Sequence, residues 1–126
     1  MKLLGIDYGR AKIGLAISEG QLAEPFMVLK VKSQQEALNK LASLIKENYV
    51  EKVVIGTPGG TIDKEIREFG KLLDEKIETE VVFQDETLTT QDAQALSIKA
   101  GIKRSKRKRL EDAFSAVLML QDFIGY

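Results

Sequence analysis

The stretch Leu3-Leu4-Gly5-Ile6-Asp7-Tyr8-Gly9-Arg10-Ala11-Lys12-Ile13-Gly14-Leu15-Ala16-Ile17-Ser18 decides the fold. Lys2 to Tyr8 reads as one strand and Lys12 to Ser18 as the next, with Gly9-Arg10 turning the chain between them. Phe26 to Val31, after Pro25, is a third apolar stretch. The short connections predict an antiparallel meander.

The pattern then changes period. Ser33-Gln34-Gln35-Glu36 is a capping box, and apolar residues recur at Leu38, Leu41, Leu44 and Ile45, which predicts a helix to about Asn48. Lys52 to Gly56 is a β-branched strand, Thr57-Pro58-Gly59-Gly60 a loop, and Ile62, Ile66, Phe69, Leu72 and Leu73 mark a second helix. Glu80 to Gln84 is another strand. A third helix is expected from Thr89 to Ala100, and a last, apolar one from Leu110 to Ile124. Three hairpin strands followed by strand–helix alternation imply an α/β fold with a mixed five-stranded sheet and flanking helices. The 126 residues fit a single domain, 1–126.

Composition narrows the chemistry. There is no histidine and no cysteine, which excludes His-based triads, thiolate nucleophiles and zinc sites built on imidazole or thiolate. Oxygen donors suit hard cations such as Mg2+ or Mn2+. No apolar run approaches the ~18 residues of a membrane span, and the N-terminus has no signal-peptide pattern, so the expected location is cytoplasmic, with no membrane partner. The 19 basic and 19 acidic residues cancel, yet six of the cations lie together in Lys103-Arg104-Ser105-Lys106-Arg107-Lys108-Arg109. The rest of the chain is net negative. A local positive field suits one docking site for an anionic partner.

Three carboxylate positions stand at element ends. Asp7 shares a strand face with Gly5 and Gly9, which would leave room beside it for a metal ion and a phosphate; it also reads as a turn starter. Asp85 and Glu86 close a strand, and alternation lets only one of them face a given site. Asp112 opens the last helix, where it either complements the dipole or reaches inward. Phosphodiester hydrolysis needs an activated water and neutralised charge, which two carboxylate-held divalent ions supply without histidine or cysteine.

Together these segments resemble the YqgF/RuvX family. Gly5-Ile6-Asp7-Tyr8-Gly9-Arg10-Ala11-Lys12-Ile13-Gly14-Leu15-Ala16 is similar to its opening motif, Val54-Ile55-Gly56-Thr57-Pro58 to its second, Asp85-Glu86-Thr87-Leu88-Thr89-Thr90 to its third, and Asp112-Ala113-Phe114-Ser115-Ala116-Val117-Leu118-Met119-Leu120-Gln121 to its last. The resemblance implies a ribonuclease-H-like domain that is Holliday-junction-resolvase-like and a candidate nuclease for the small-subunit ribosomal RNA precursor. It implies Asp7, Glu86 and Asp112 as catalytic metal ligands, with Asp85 in reserve should the strand register differ by one. The family usually has Arg where Thr87 stands and Leu where Thr57 stands. Arg10, Lys103, Arg104, Lys106, Arg107, Lys108 and Arg109 are the candidate nucleic-acid contacts, holding phosphates beside the metal site without reading bases.

The expected function is metal-dependent cleavage of structured RNA or DNA, with a pre-ribosome as one setting and a monomer or weak homodimer as the working form. The alternatives are junction resolution, or a non-catalytic ribosome-associated binding factor, which the missing Arg at Thr87 keeps open. Asp-x-Gly followed by Ile-Gly also resembles the phosphate loop of actin-like ATPases, which need two such domains.

Overall fold

The computed structural model describes residues 1–85 and 111–125, apart from the side chains of Glu111 and Asp112. The described elements are β1 (Leu3–Asp7), β2 (Lys12–Ser18), β3 (Glu24–Lys30), α1 (Gln34–Glu47), β4 (Lys52–Thr57), α2 (Asp63–Lys76), β5 (Glu80–Asp85) and α3 (Glu111–Ile124). The helix expected over 89–100 lies outside the described residues. The sheet runs β3-β2-β1-β4-β5. The first three strands form the antiparallel meander, while β4 and β5 join β1 in parallel.

Alternation along β1 builds a core on each face. Leu4 and Ile6 pack with Ile13, Leu15, Val53 and Ile55 under α1 and α2, where Leu41, Phe69 and Leu73 complete the layer. Leu3 faces the other way, with Ala16 and Val54, and meets Ala116, Met119 and Leu120 of α3. One hydrophobic strand therefore glues two helical layers, because both faces of a central strand are buried.

β3 begins earlier than Phe26, at Glu24, and takes in Pro25. A strand at the sheet edge tolerates a proline, since the missing N–H costs no ladder bond on the open side. The register pairs Leu15 with Met27 but Ala16 with Pro25, which leaves Phe26 as the extra residue of a bulge. At α1, Ser33 Oγ accepts from the Glu36 backbone N–H at 3.1 Å. The Glu36 carboxylate pairs with Lys40 Nζ at 3.0 Å, so its charge serves the helix surface as well as its start.

Two glycines are fixed by close approach. A Cβ on Gly5 would stand 2.9 Å from Leu120 Cβ and 3.4 Å from the Ala116 carbonyl oxygen, so Gly5 is what lets α3 lie on the sheet. A Cβ on Gly9 would collide with the Lys12 carbonyl oxygen, so Gly9 closes the β1–β2 turn. Of the two readings of this stretch, the turn is the one seen at Gly9, while beside Gly5 the place read as room for a ligand is taken by Leu120. Packing and turn geometry require the two glycines.

α3 is tied down by a buried side chain. Gln121 Oε1 accepts from the Ala23 N–H at 2.9 Å, and its Nε2 donates to the carbonyls of Gln21 at 2.9 Å and Gly125 at 3.3 Å. Gln121→Ala would orphan the buried Ala23 N–H and strip the partly buried carbonyls of Gln21 and Gly125 of their donor. The expected loss is about 2–3 kcal/mol, since unsatisfied buried groups cost their full desolvation. Chemical denaturation reads this, and a loss under ~0.5 kcal/mol would mean that water replaces the amide.

Candidate active site

The carboxyl ends of β1, β4 and β5 form one edge, where open α/β sheets gather their ligand sites. β1 lies at the point where antiparallel pairing on one side gives way to parallel pairing on the other. Asp7 is its last residue and is half-buried. The register with β2 places Asp7 opposite Gly14, which contributes no side chain beside it. Parity with Leu3 and Gly5 puts Asp7 on the α3 face.

The end of β5 separates two neighbouring side chains. Gln84 faces the α3 layer, where its Nε2 donates to Asp122 Oδ2 at 2.8 Å. Asp85 pairs in register with Thr57 on the opposite face, and Thr57 Oγ1 donates to its Oδ1 at 3.0 Å. The reserve ligand therefore does not share a face with Asp7. The departure at Thr57 has a structural use: a buried hydroxyl here holds the Asp85 carboxylate and also approaches the Gln84 carbonyl at 3.4 Å.

Glu86 and Thr87 lie outside the described residues, as do Lys103, Arg104, Lys106, Arg107, Lys108 and Arg109. Asp112 is the second residue of α3, with its side chain outside the description. Among the described residues, no three acidic side chains gather into a metal-binding group, and of Asp7, Glu86 and Asp112 it is Asp7 whose side chain is described. Its donor chemistry fits a hard divalent cation: a carboxylate at a strand end, in a chain without histidine or cysteine.

Arg10 follows the turn and is paired. Its Nε donates to Glu65 Oε1 at 3.0 Å and Oε2 at 3.2 Å, and its Nη2 donates to Oε1 at 2.8 Å. Tyr8 Oη donates to the same carboxylate at 2.8 Å, and its ring stacks on Phe69 at 4.6 Å between centroids. Burial first, and then the Glu65 carboxylate, push the Tyr8 hydroxyl up to about 12. The hydrogen bonds from Arg10 and Tyr8 hold Glu65 below the usual carboxylate range, and the pairing raises Arg10. Sequence reasoning missed Glu65. It sits in the first turn of α2, far along the chain from its partners, and no local motif links them.

A family model described as "RuvX: Holliday junction resolvase" matches residues 1–126. A protein of Lactococcus lactis subsp. cremoris (strain MG1363), named as a candidate pre-16S rRNA nuclease, is 37% identical over 133 residues, covering 98% of this chain and 93% of its own length. A protein of Bacillus thuringiensis (strain Al Hakam) with the same name is 34% identical over 134 residues, covering 98% of each chain. Among solved structures, T. thermophilus RuvC in complex with a Holliday junction substrate superposes with a TM-score of 0.65 at 17% identity, over 94% of this chain and 91% of that one. Fowlpox virus resolvase with Holliday junction DNA gives 0.67 at 13% identity over the full length of both. At these identities the structures speak for the fold alone, and that fold is the ribonuclease-H-like one of the resolvases. The match over the whole chain, with the ordered motifs and this topology, places the chain in the RuvX family.

Proposed function

We propose that this nuclease-family chain is a divalent-metal-dependent endonuclease of structured nucleic acid, and that its substrate is the precursor of small-subunit ribosomal RNA. The observation that carries the reading is Asp7: a carboxylate at the carboxyl end of the central strand, on the face that α3 covers. Asp7, Glu86 and Asp112 would hold Mg2+ or Mn2+. The alternation at Gln84 and Asp85 favours Glu86 over Asp85 as the companion of Asp7. Bound metal would supply an activated water and neutralise charge on the leaving oxygen. Asp7 would bind and orient the metal; the Thr57–Asp85 bond holds the Asp85 carboxylate on the other face of the sheet. The names of the bacterial relatives favour the RNA substrate and a cytoplasmic setting. The description of the family favours a second reading, cleavage of four-way DNA junctions.

One assay separates them. A precursor transcript, a linear duplex and a four-way junction are each incubated with magnesium, with manganese and with chelator. Cuts in the transcript that need metal and disappear in an Asp7 variant support the proposal. Cuts confined to the junction support the second reading, and binding without any cut makes the chain a non-catalytic factor.

The basic segment has its own prediction. Neutralising Lys106, Arg107 and Lys108 together should flatten the dependence of log affinity on log salt by roughly two to three units, weakening all sequences alike. Stability should change by less than ~0.5 kcal/mol. An unchanged slope would place the docking surface elsewhere.

A further inference from the structure

We propose that Glu65, assisted by Tyr8, is a positioning residue that holds the Arg10 guanidinium as a fixed phosphate contact just beyond the carboxyl end of β1, three residues on from Asp7 and on the side of the sheet that α2 covers. The inference rests on the nuclease reading for its substrate class, but its geometry stands on described residues.

Arg10 is three residues from Asp7 and its side chain is 77% exposed. An exposed arginine gives up rotamer freedom when it is fixed, and an isolated surface ion pair seldom returns that cost. Here three contacts to one carboxylate do the fixing. Glu65 is itself held, by the Tyr8 hydroxyl on one side and by its place in α2 on the other. Tyr8 in turn is packed on Phe69 in the core. A chain of contacts thus runs from the buried layer out to the guanidinium.

The pairing engages Nε and Nη2. The remaining terminal nitrogen, Nη1, makes no bond among the described residues. A guanidinium has two usable edges, and the second matches the oxygens of a phosphate. The charge of Glu65 cancels that of Arg10 at long range. The pair therefore adds little general attraction for polyanions, and what it offers is a donor set already aimed. Pre-paid ordering is how such a clamp gains affinity.

A simple charge argument and the positioning argument predict opposite signs. Removing an acid near a polyanion should tighten binding. If Glu65 aims Arg10, its loss should weaken binding instead. The test is a cycle of Glu65→Gln, Arg10→Ala and the double variant, with binding to a labelled RNA hairpin and a labelled four-way DNA junction read by anisotropy in buffer containing chelator. Glu65→Gln should weaken binding by about three- to tenfold in the native background. In the Arg10→Ala background the same change should tighten binding, because only the acid's repulsion is left to remove. Arg10→Lys should keep the salt slope but lose the coupling to Glu65, since an ammonium cannot fork. Tyr8→Phe should act in the direction of Glu65→Gln, and only while Arg10 is present.

Tightening by Glu65→Gln in both backgrounds, or coupling that appears only in thermal stability, overturns the proposal and leaves the trio as a staple between the β1–β2 turn and α2. Failure of the nuclease reading would look different: native protein that binds both probes and cuts neither. The sign reversal would still be measurable there, and would still support Arg10 as an aimed phosphate contact.

Discussion

In an Asp7→Asn variant, cleavage should fall by more than about 100-fold while the metal-free protein keeps its stability within ~1 kcal/mol. Losing a partner that merely orients a metal ligand typically costs 10–100-fold, so losing a ligand should cost more. Asparagine has the shape of aspartate but is neutral, with one oxygen in place of two. A hard divalent cation gains little from it. Stability should follow a different course. Asp7 ends β1 and is half-buried, and asparagine keeps its size and can still accept a hydrogen bond there. Where carboxylates converge on a metal, removing one charge also relieves repulsion in the empty state. Two measurements separate the roles: single-turnover cleavage against magnesium concentration, and thermal unfolding in chelator. A variant that unfolds several degrees early without metal, yet cleaves normally when cold, would make Asp7 a turn residue and return the catalytic role to other acids.

The face on which Asp7 lies was legible because strand alternation is local: knowing that Leu4 and Ile6 are buried together places Leu3, Gly5 and Asp7 opposite. The same logic gave β2 its limits at Lys12 and Ser18. It failed at β3, where Pro25 argues against a strand unless one knows that the strand lies at an edge, and edge position is a property of the whole sheet. The choice between Asp85 and Glu86 was open for a similar reason. Only the parallel register that sets Thr57 beside Asp85 turns that carboxylate away from Asp7. Glu65 was unreadable, since its partners lie more than fifty residues back. Gly5 was seen and misread: small residues beside an acid suggested space for a ligand, whereas the space is filled by Leu120. A sequence shows that a side chain is missing. It does not show what occupies the place.

That occupancy makes Gly5 intolerant of a side chain, and Gly5→Val should cost at least ~3 kcal/mol. Two effects oppose each other. Replacing glycine within a strand reduces the freedom of the unfolded chain and favours folding by roughly 0.5–1 kcal/mol. Against this, the new Cβ would stand 2.9 Å from Leu120 Cβ, with Leu120 Cδ2 at 3.3 Å and the Ala116 carbonyl at 3.4 Å. The nearest atom belongs to the root of a side chain and another to the helix backbone, so no change of rotamer gives relief. α3 itself must move. Overpacking of this kind typically costs 1–3 kcal/mol for one group, and the two further methyls of valine add to it, so the clash wins. Gly5→Ala should fall between, at a net loss of ~1–2 kcal/mol. Leu120→Ala should not rescue either variant, because it leaves the closest contact in place. Activity should suffer beyond stability. α3 carries Asp112 in its first turn, and a displacement of about 1 Å at a catalytic group can cost on the order of 100-fold. Cleavage by Gly5→Ala, measured at a temperature where unfolding curves show it fully folded, should therefore be well below native. Native-like cleavage with reduced thermal stability would mean that α3 yields at its C-terminal half alone, and that Asp112 keeps its place independently of how the helix sits on β1.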